Sequence, residues 1–222
     1  MNFDVAYMLS VIPQILGYLP ITLIISLFSI LLATILGIIF ALLLRSGKIG
    51  KAFAHLYISF FRGTPVLVQL LIIYFGLPQL FPALNSMSAI NAVILGLSLN
   101  TSAYLAEIFR AAIDSVDKGQ LEASLASGLT LFQASRRILF PQVCRNAIPA
   151  TGNVYIGLIK NSSLAFTLGV SELLAAGKLA ATESLKYFEA YFAVGLIYWA
   201  LTIILSELQR RLEKFINKPY VH

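Results

Sequence analysis

The longest uncharged stretch of the sequence constrains its fold more than any other feature. No Asp, Glu, Lys or Arg occurs between Arg62 and Glu107. At about 1.5 Å per residue this stretch is too long for one helix across a bilayer, which needs about 20 residues. Turn-forming residues at Pro78, Pro82 and Asn85 divide the stretch, which therefore predicts two spanning helices joined by a short uncharged loop.

The chain as a whole is apolar, with 59% hydrophobic and 12% charged residues, whereas soluble domains carry about 25% charged residues. Only helices and closed barrels span lipid, and long apolar runs without alternation exclude the barrel. The sequence therefore predicts an all-α, polytopic membrane protein with a single transmembrane domain over residues 1–222. The five predicted spans are residues 19–44, 63–82, 88–112, 146–171 and 188–209.

The basic residues predict the orientation of these spans. They flank three segments that five helices place on one side: Arg45, Lys48, Lys51 and Arg62; Arg110, Lys118, Arg136, Arg137 and Arg145; Arg210, Arg211, Lys214 and Lys218. The opposite loops hold Lys178 and Lys186, balanced by Glu172, Glu183 and Glu189. By the positive-inside rule the C-terminus is cytoplasmic and the N-terminus outside. The net charge of +6 is thus an orientation signal, and we expect a lipid bilayer rather than nucleic acid as the partner.

The N-terminal segment, residues 1–18, does not have the pattern of a signal peptide, because Asp4 precedes its apolar run and no basic segment does. Its apolar residues recur at helical spacing and predict an amphipathic helix on the outer membrane interface; a flexible terminus is the alternative. One cysteine, Cys144, and two distant histidines, His55 and His222, predict no metal site.

A polar loop over residues 117–145 carries a motif with fixed spacing. Its anchors are Glu122, Ala123, Ser124 and Gly128, followed after nine residues by Ile138 to Pro141. We expect a short helix that ends at Gly128 with positive φ, and a second from Leu131 to Leu139 that exposes Arg136 and Arg137 and is stopped by Pro141. Two short helices at an angle form a knob that fits a groove on another protein. The alternative is an ordinary helical loop.

Polar residues also occur inside the predicted spans, where they are costly and face the bundle interior or a water-filled path. Asn100, Tyr104 and Glu107 share one helix face, and a buried Lys160 predicts a charge pair with Glu107. The Arg62-Gly63-Thr64-Pro65 sequence weakens the helix near Gln69. Asn161 and Ser163 add neutral hydrogen-bonding groups. Hydrogen bonds between helices are the alternative explanation for such residues, and they explain Ser98 better than a substrate path does. For the Arg62–Pro65 segment the alternative is a membrane-entry turn with Arg62 at the lipid headgroups.

Together these residues resemble the polar amino acid permeases of type I ABC importers. The loop is similar to the family motif E-A-A-x3-G-x9-I-x-L-P, with departures at Ser124 and Phe140. Further similar pieces are Arg62-Gly63-Thr64-Pro65 with Gln69, Ala103-Tyr104-Leu105-Ala106-Glu107-Ile108-Phe109-Arg110, Pro141-Gln142, and Leu158-Ile159-Lys160-Asn161-Ser162-Ser163-Leu164. The resemblance covers nearly the whole chain.

The resemblance implies the type I ABC importer permease fold in a bacterial inner membrane, and transport by alternating access. It implies two ATP-binding subunits, a second permease subunit, identical or not, and an extracytoplasmic substrate-binding protein. ATP and Mg²⁺ would bind the partner ATPase, because no phosphate-binding G-x-x-x-x-G-K-[ST] loop occurs here; the chain itself is no enzyme. The coupling residues would be Glu122, Ala123, Ser124, Gly128, Arg136, Arg137 and Pro141.

The same resemblance implies a substrate pocket at mid-membrane, lined by Thr64, Gln69, Asn100, Tyr104, Asn161 and Ser163. Asn161 is neutral where a carrier of cationic amino acids would benefit from an acidic group, so a zwitterion is expected, with cystine first and glutamine second. Two alternatives remain. Glu107 and Lys160 could relay protons in a secondary transporter, or the chain could be a scaffold that only docks an ATPase.

Overall fold

The computed structural model describes residues 3–217, and these contain helices and no strands. The α-helices are α1 (Val5–Leu16), α2 (Leu19–Leu43), α3 (Lys48–Gly63), α4 (Val66–Leu71), α5 (Leu77–Leu80), α6 (Ala89–Asp114), α7 (Lys118–Ala126), α8 (Leu131–Ala134), α9 (Phe140–Asn161), α10 (Leu173–Ser184) and α11 (Tyr187–Asn217). One π turn, Ile72–Gly76, joins α4 to α5, and another, Ser135–Leu139, joins α8 to α9. Short 3₁₀ helices cover Pro82–Leu84 and Ser162–Leu168. Lys218 and His222 lie outside the described residues.

Three helices, α2, α6 and α11, are each long and apolar enough to cross a bilayer alone. Two bent units also qualify if each counts as one span: α3 with Val66–Leu80, bent by 108°, and Leu131–Leu168 with α10, bent by 54°. The total within residues 3–217 then reaches five, and the predicted all-α polytopic fold is confirmed. The first break falls at Thr64 and Pro65, and the second falls between Leu168 and Leu173, where Gly169 has a left-handed φ of 81°.

The α2–α6 pair forms the centre of the fold. Small side chains of α2 line the contact, with Ser29 and Ala33 buried. A Cβ atom on Gly37 would lie 2.8 Å from the Cβ of Leu105, so only glycine permits this approach. The Ser98 hydroxyl donates to the carbonyls of Ile94, at 2.5 Å, and of Ser29, at 3.2 Å. Small residues and hydroxyls of this kind hold helices together in lipid, where apolar burial adds little.

Helix α3 lies in a segment that the sequence pattern presented only as a basic loop. One side packs against α2 and α6 through Ala54 and Ile58, and Tyr57 stacks on Phe40 with ring centroids 3.7 Å apart. Ile49 on the other side is 88% exposed. The sequence did not predict this helix because Lys48, Lys51 and Arg62 interrupt its apolar pattern. The segment therefore resembled a polar loop.

Helix α1 exists as predicted, but its buried residues are Met8, Val11 and Ile15, which pack on α10 and α11. The sequence predicted one apolar stripe of Val5, Met8, Leu9, Ile12, Leu16 and Leu19. Of these residues Met8 is buried, whereas Val5, Leu9 and Leu16 are exposed. Helix α10 itself lies in a segment predicted to be an outer loop.

An ion pair connects the start of α1 to the turn before α11. The Lys186 ammonium donates to the Asp4 carboxylate at 2.6 Å, and this bond lowers the pKa of Asp4 and raises that of Lys186. Leu185, directly before Lys186, has a left-handed backbone with φ 58°, so the turn is one that the chain adopts only under constraint.

We expect the contribution of the Asp4–Lys186 ion pair to the stability of α1 to be independent of pH across the neutral range. The lowered pKa of Asp4 makes its contribution complete above the ordinary value of 3.8, with loss as pH falls through the shifted value. The raised pKa of Lys186 makes its contribution complete below 10.5, with loss as pH rises through the shifted value. Hydrogen exchange of α1 amides, corrected for intrinsic rates, should be flat between these limits and faster at neutral pH in Lys186→Met. Lys178→Met is the control, and equal acceleration in both variants would contradict the assignment.

Candidate functional site: a coupling knob and a polar helix break

Helices α7 and α8, with the π turn Ser135–Leu139, form a compact projection, here called the knob (residues 117–139). The Asp117 carboxylate accepts from the Gly119 amide at 2.7 Å and caps the start of α7. At its end the Gly128 and Leu129 amides donate to the carbonyls of Leu125 and Ser124. This is the Schellman arrangement, which requires the left-handed φ of 85° at Gly128. The predicted helix end at Gly128 is therefore confirmed.

The second half of the knob differs from the prediction. Thr130 and Gln133 form a reciprocal capping box at the start of α8, but the chain does not stop at Pro141. It continues through the π turn into α9, with Pro141 in the first turn of that helix. The predicted stop was wrong because a proline in a first turn removes only an amide that has no helical partner there.

The surface of the knob combines charge with apolar area. Arg136 and Arg137 are exposed as predicted, and Glu122 and Ala123 are exposed as well. Ser124 is buried and donates to the Gln120 carbonyl. Beside them Leu131 and Phe132 are 60% and 71% exposed. The motif did not reveal these two side chains, although an apolar pair directly after a glycine turn was a signal. Apolar area of this kind beside charges is typical of a docking surface.

The helix break at Thr64 is held by a network of buried amides. The Gln69 side-chain amide donates to the carbonyls of Phe61, at 3.0 Å, and Thr64, at 3.1 Å, and to the Thr64 hydroxyl, at 2.7 Å. The Asn100 amide donates to the Phe61 carbonyl at 2.7 Å and to the Gln69 side-chain oxygen at 3.1 Å. The structure thus brings Thr64, Gln69 and Asn100 together, but it uses the polar groups of Gln69 and Asn100 to satisfy carbonyls freed at the 108° bend.

The other predicted pocket residues are more exposed than Gln69 and Asn100. Tyr104 is 40% exposed, and the Arg62 guanidinium lies over its ring, 5.3 Å from the centroid. Asn161 is exposed and Ser163 is half-buried. Both lie where α9 passes into the 3₁₀ segment Ser162–Leu168, which packs against α4 and α6. Arg62 is exposed and lies beside Tyr104, close to the helix break at Thr64.

The structure does not form the predicted Glu107–Lys160 pair. The Glu107 carboxylate accepts from the Arg110 guanidinium at 2.7 Å, and Lys160 is exposed. The Asn146 amide donates to the Ser115 hydroxyl at 2.7 Å and so marks one level of the bundle. From that level Glu107 lies about 12 Å along α6 and Lys160 about 21 Å along α9. The prediction failed because it did not compare the heights of Glu107 and Lys160 along their helices.

Glu172, which the sequence assigned to an outer loop, is completely buried and caps α10. No pattern marks it, because its hydrogen-bond partner Tyr198 is 26 residues away. Among residues 3–217 no group of His, Cys, Asp and Glu has the arrangement of a metal site.

Comparison with known proteins identifies the family. A model described as the binding-protein-dependent transport system inner membrane component matches residues 33–218. The chain belongs to this family. The predicted resemblance to permeases of type I ABC importers is confirmed at that level, and this permease is a transport component.

Individual relatives cover the permease from end to end. The probable amino-acid permease protein YxeN of Bacillus subtilis (strain 168) is 56% identical over 99% of this chain and 98% of its own length. The L-cystine transport system permease protein TcyL of the same organism is 38% identical over 97% and 92%. A crystal structure of an amino acid ABC transporter with histidines is 35% identical, with a TM-score of 0.86, over 96% of this chain and 99% of that one.

Proposed function

We propose that this permease imports a polar amino acid that carries no net positive charge, with cystine as the first candidate. The observation that carries the proposal is the charge of the residues that the resemblance assigns to the substrate path and of their sequence neighbours, which together we call the polar face. Arg62 and Lys160 are exposed cations, Asn161 and Ser163 are neutral, and the Glu107 carboxylate is ion-paired with Arg110. Such a face attracts carboxylates and repels a cationic side chain.

Cystine suits this face because it presents two carboxylates, one for each exposed cation. One relative is a cystine permease, and the transporter solved with histidines supports an amino acid in general. Arg62 already lies over Tyr104, so its guanidinium is oriented for planar recognition of a carboxylate.

The driving force in this proposal comes from partner subunits. Two cytoplasmic ATP-binding subunits would hold the knobs of two permease subunits, and a separate binding protein would deliver substrate from outside. Closing of the ATPase pair would then rock the helices between inward-open and outward-open forms. The exposed Glu122, Arg136 and Phe132 of the knob support this docking. ATP shifts such an equilibrium only by binding the two forms with different affinity.

Substrate preference tests the proposal. Vesicles that contain the assembled transporter and its binding protein should take up labelled cystine in competition with excess glutamine, histidine or arginine. We expect the neutral amino acids to compete and arginine to compete least. Preferred uptake of arginine would overturn the proposal.

A charge change at Asn161 should alter this preference. Asn161→Asp places a carboxylate beside the path, and opposite charges a few ångström apart attract by several kcal/mol at an effective dielectric of about 20. We expect the ratio of arginine to cystine uptake to rise about tenfold or more. The exposed Asn91, at the start of α6, provides the matched control Asn91→Asp. An unchanged ratio in Asn161→Asp would remove Asn161 from the path.

A proton-coupled secondary transporter has no support from the structure, because the charge pair that motivated it is not formed. The observed Glu107–Arg110 pair joins residues three positions apart on one helix face. A pair within one helix is a local contact and not a relay between helices.

A further inference from the structure

Helix α9 connects the knob to residues that the family resemblance assigns to the substrate path. The π turn Ser135–Leu139 at the end of the knob continues without a break into α9, and α9 ends at Asn161. A movement of the knob therefore reaches Asn161 along α9, provided that the helix moves as a rigid body.

The half of α9 next to the knob is loosely packed. Between residues 140 and 157 only Ala147 is buried. An open cavity of about 810 Å³ borders one side of the helix at Pro149, and another of about 1030 Å³ borders the opposite side at Thr151. The buried Thr151 hydroxyl has no hydrogen-bond partner among the described residues. A segment with so few buried contacts opens and moves more easily than a packed one.

A proline weakens α9 within this half. Pro149 lies inside the helix. Proline has no amide hydrogen to donate along a helix, and its ring crowds the preceding turn, so helices bend at such a residue. The two ends of α9 can therefore change their relative direction at Pro149 unless another element restrains the bend.

Gln209 on α11 contacts α9 at this bend. Its side-chain amide donates to the Pro149 carbonyl at 2.9 Å and to the Glu213 carboxylate at 2.8 Å. The bond to Glu213, one turn further along α11, orients the amide. Gly152 provides the room for this side chain, because a Cβ atom on Gly152 would lie 2.5 Å from the Gln209 Cδ atom. The Gln209 side chain thus lies against α9 at Gly152 and bonds to the proline.

The opposite half of α11 is firmly packed. Ala190, Ala193 and Val194 are buried in a cluster with residues of α1 and α10. Gln209 lies about 22 Å further along the same helix. Because α11 is one continuous helix, it supports the Gln209 contact from a packed core that α9 lacks near the knob.

We propose that Gln209 is a positioning residue for coupling, which restrains α9 at Pro149 so that the knob and the substrate path move together. Without its amide, α9 bends at Pro149 and absorbs the movement of the knob before it reaches Asn161. The part of this inference that concerns coupling rests on the proposed function, whereas the restraint on α9 does not.

Two substitutions remove this contact from opposite sides. Gln209→Leu removes the amide, and Gly152→Ala adds a methyl group that displaces the Gln209 side chain. Both controls lie on α9. Gln142→Leu removes an amide that bonds only to the Ile138 carbonyl, and Gly157→Ala adds a methyl group that meets no neighbouring helix within 4 Å. The two glycine variants gain the same helix propensity, so that effect cancels between them.

Hydrogen exchange of the α9 amides, corrected for intrinsic rates, measures the restraint in the assembled transporter. We expect residues 150–157 to exchange about fivefold faster in Gln209→Leu and in Gly152→Ala, the effect of one hydrogen bond, and the double variant to add nothing further. Both controls should exchange at the wild-type rate. If Gly152→Ala does not fold, Gln209→Leu with its own control decides the question.

The number of amino acid molecules imported per ATP hydrolysed measures coupling. This ratio should fall about twofold or more in Gln209→Leu and Gly152→Ala, and both controls should keep the wild-type ratio. A protein that is merely less stable loses uptake and stimulated hydrolysis in proportion, so its ratio does not change. Wild-type exchange in α9, or faster exchange with an unchanged ratio, would refute the inference. If the wild type imports no tested amino acid, the substrate proposal fails, while the exchange rates still decide whether Gln209 restrains α9.

Discussion

Glu122→Lys is expected to abolish substrate-stimulated ATP hydrolysis by the assembled transporter, with a loss of about tenfold or more. Glu122 is exposed in the middle of α7, between the capped start at Asp117 and the glycine turn at Gly128. Its substitution should therefore leave the knob folded and reverse only the charge that would face the ATPase in the proposed docking. ATP hydrolysis in nanodiscs, with and without the amino acid and its binding protein, measures the effect.

The matched control for this prediction is Glu183→Lys, which reverses an exposed carboxylate on α10. It should retain stimulated hydrolysis. Co-purification of the ATPase distinguishes loss of docking from loss of coupling. Wild-type stimulation in Glu122→Lys would show that the knob does not transmit the ATPase movement.

Gln69→Leu is expected to destabilise the permease by about 2 kcal/mol or more. The substitution leaves the carbonyl of Thr64 without the Gln69 amide and removes one partner each from Phe61 and Asn100. A buried polar group without a partner costs about 1–3 kcal/mol. Since the amide is used within the protein, total uptake should fall while the ratio of transported amino acids stays constant.

Gln79→Leu provides the matched control, because Gln79 is exposed and its amide bonds only to the Phe75 carbonyl. It should unfold at nearly the wild-type temperature in detergent, whereas Gln69→Leu should unfold earlier. If Gln69→Leu keeps wild-type stability but changes which amino acid is taken up, Gln69 contacts substrate and its structural role is refuted.

The features that the sequence could predict are those set by local physics. The uncharged runs, with the turn residues that divide the longer one, predicted α2 and α6. A chain in lipid must satisfy all its backbone hydrogen bonds internally, so an apolar run of this length must be helical. The end of α7 at Gly128 followed from the φ that only glycine adopts readily. The exposure of Arg136 and Arg137 followed from their place in the second short helix of the polar loop.

The features that the amino-acid sequence could not predict depend on contacts between residues that are far apart in the chain. Helix α3 is helical because it packs on α2 and α6, and its lysines conceal this pattern. Gln69 and Asn100 looked like substrate ligands because the sequence does not show that a 108° bend leaves carbonyls for them to satisfy. Glu172 looked like a loop residue because its partner Tyr198 lies on another helix.

The most direct test of the central claim is uptake of labelled cystine into proteoliposomes that contain the permease, its ATPase subunits and its binding protein. Uptake should require ATP and the binding protein, and it should persist when an uncoupler removes the proton gradient. Uptake that follows the proton gradient without ATP, by the permease alone, would contradict the account.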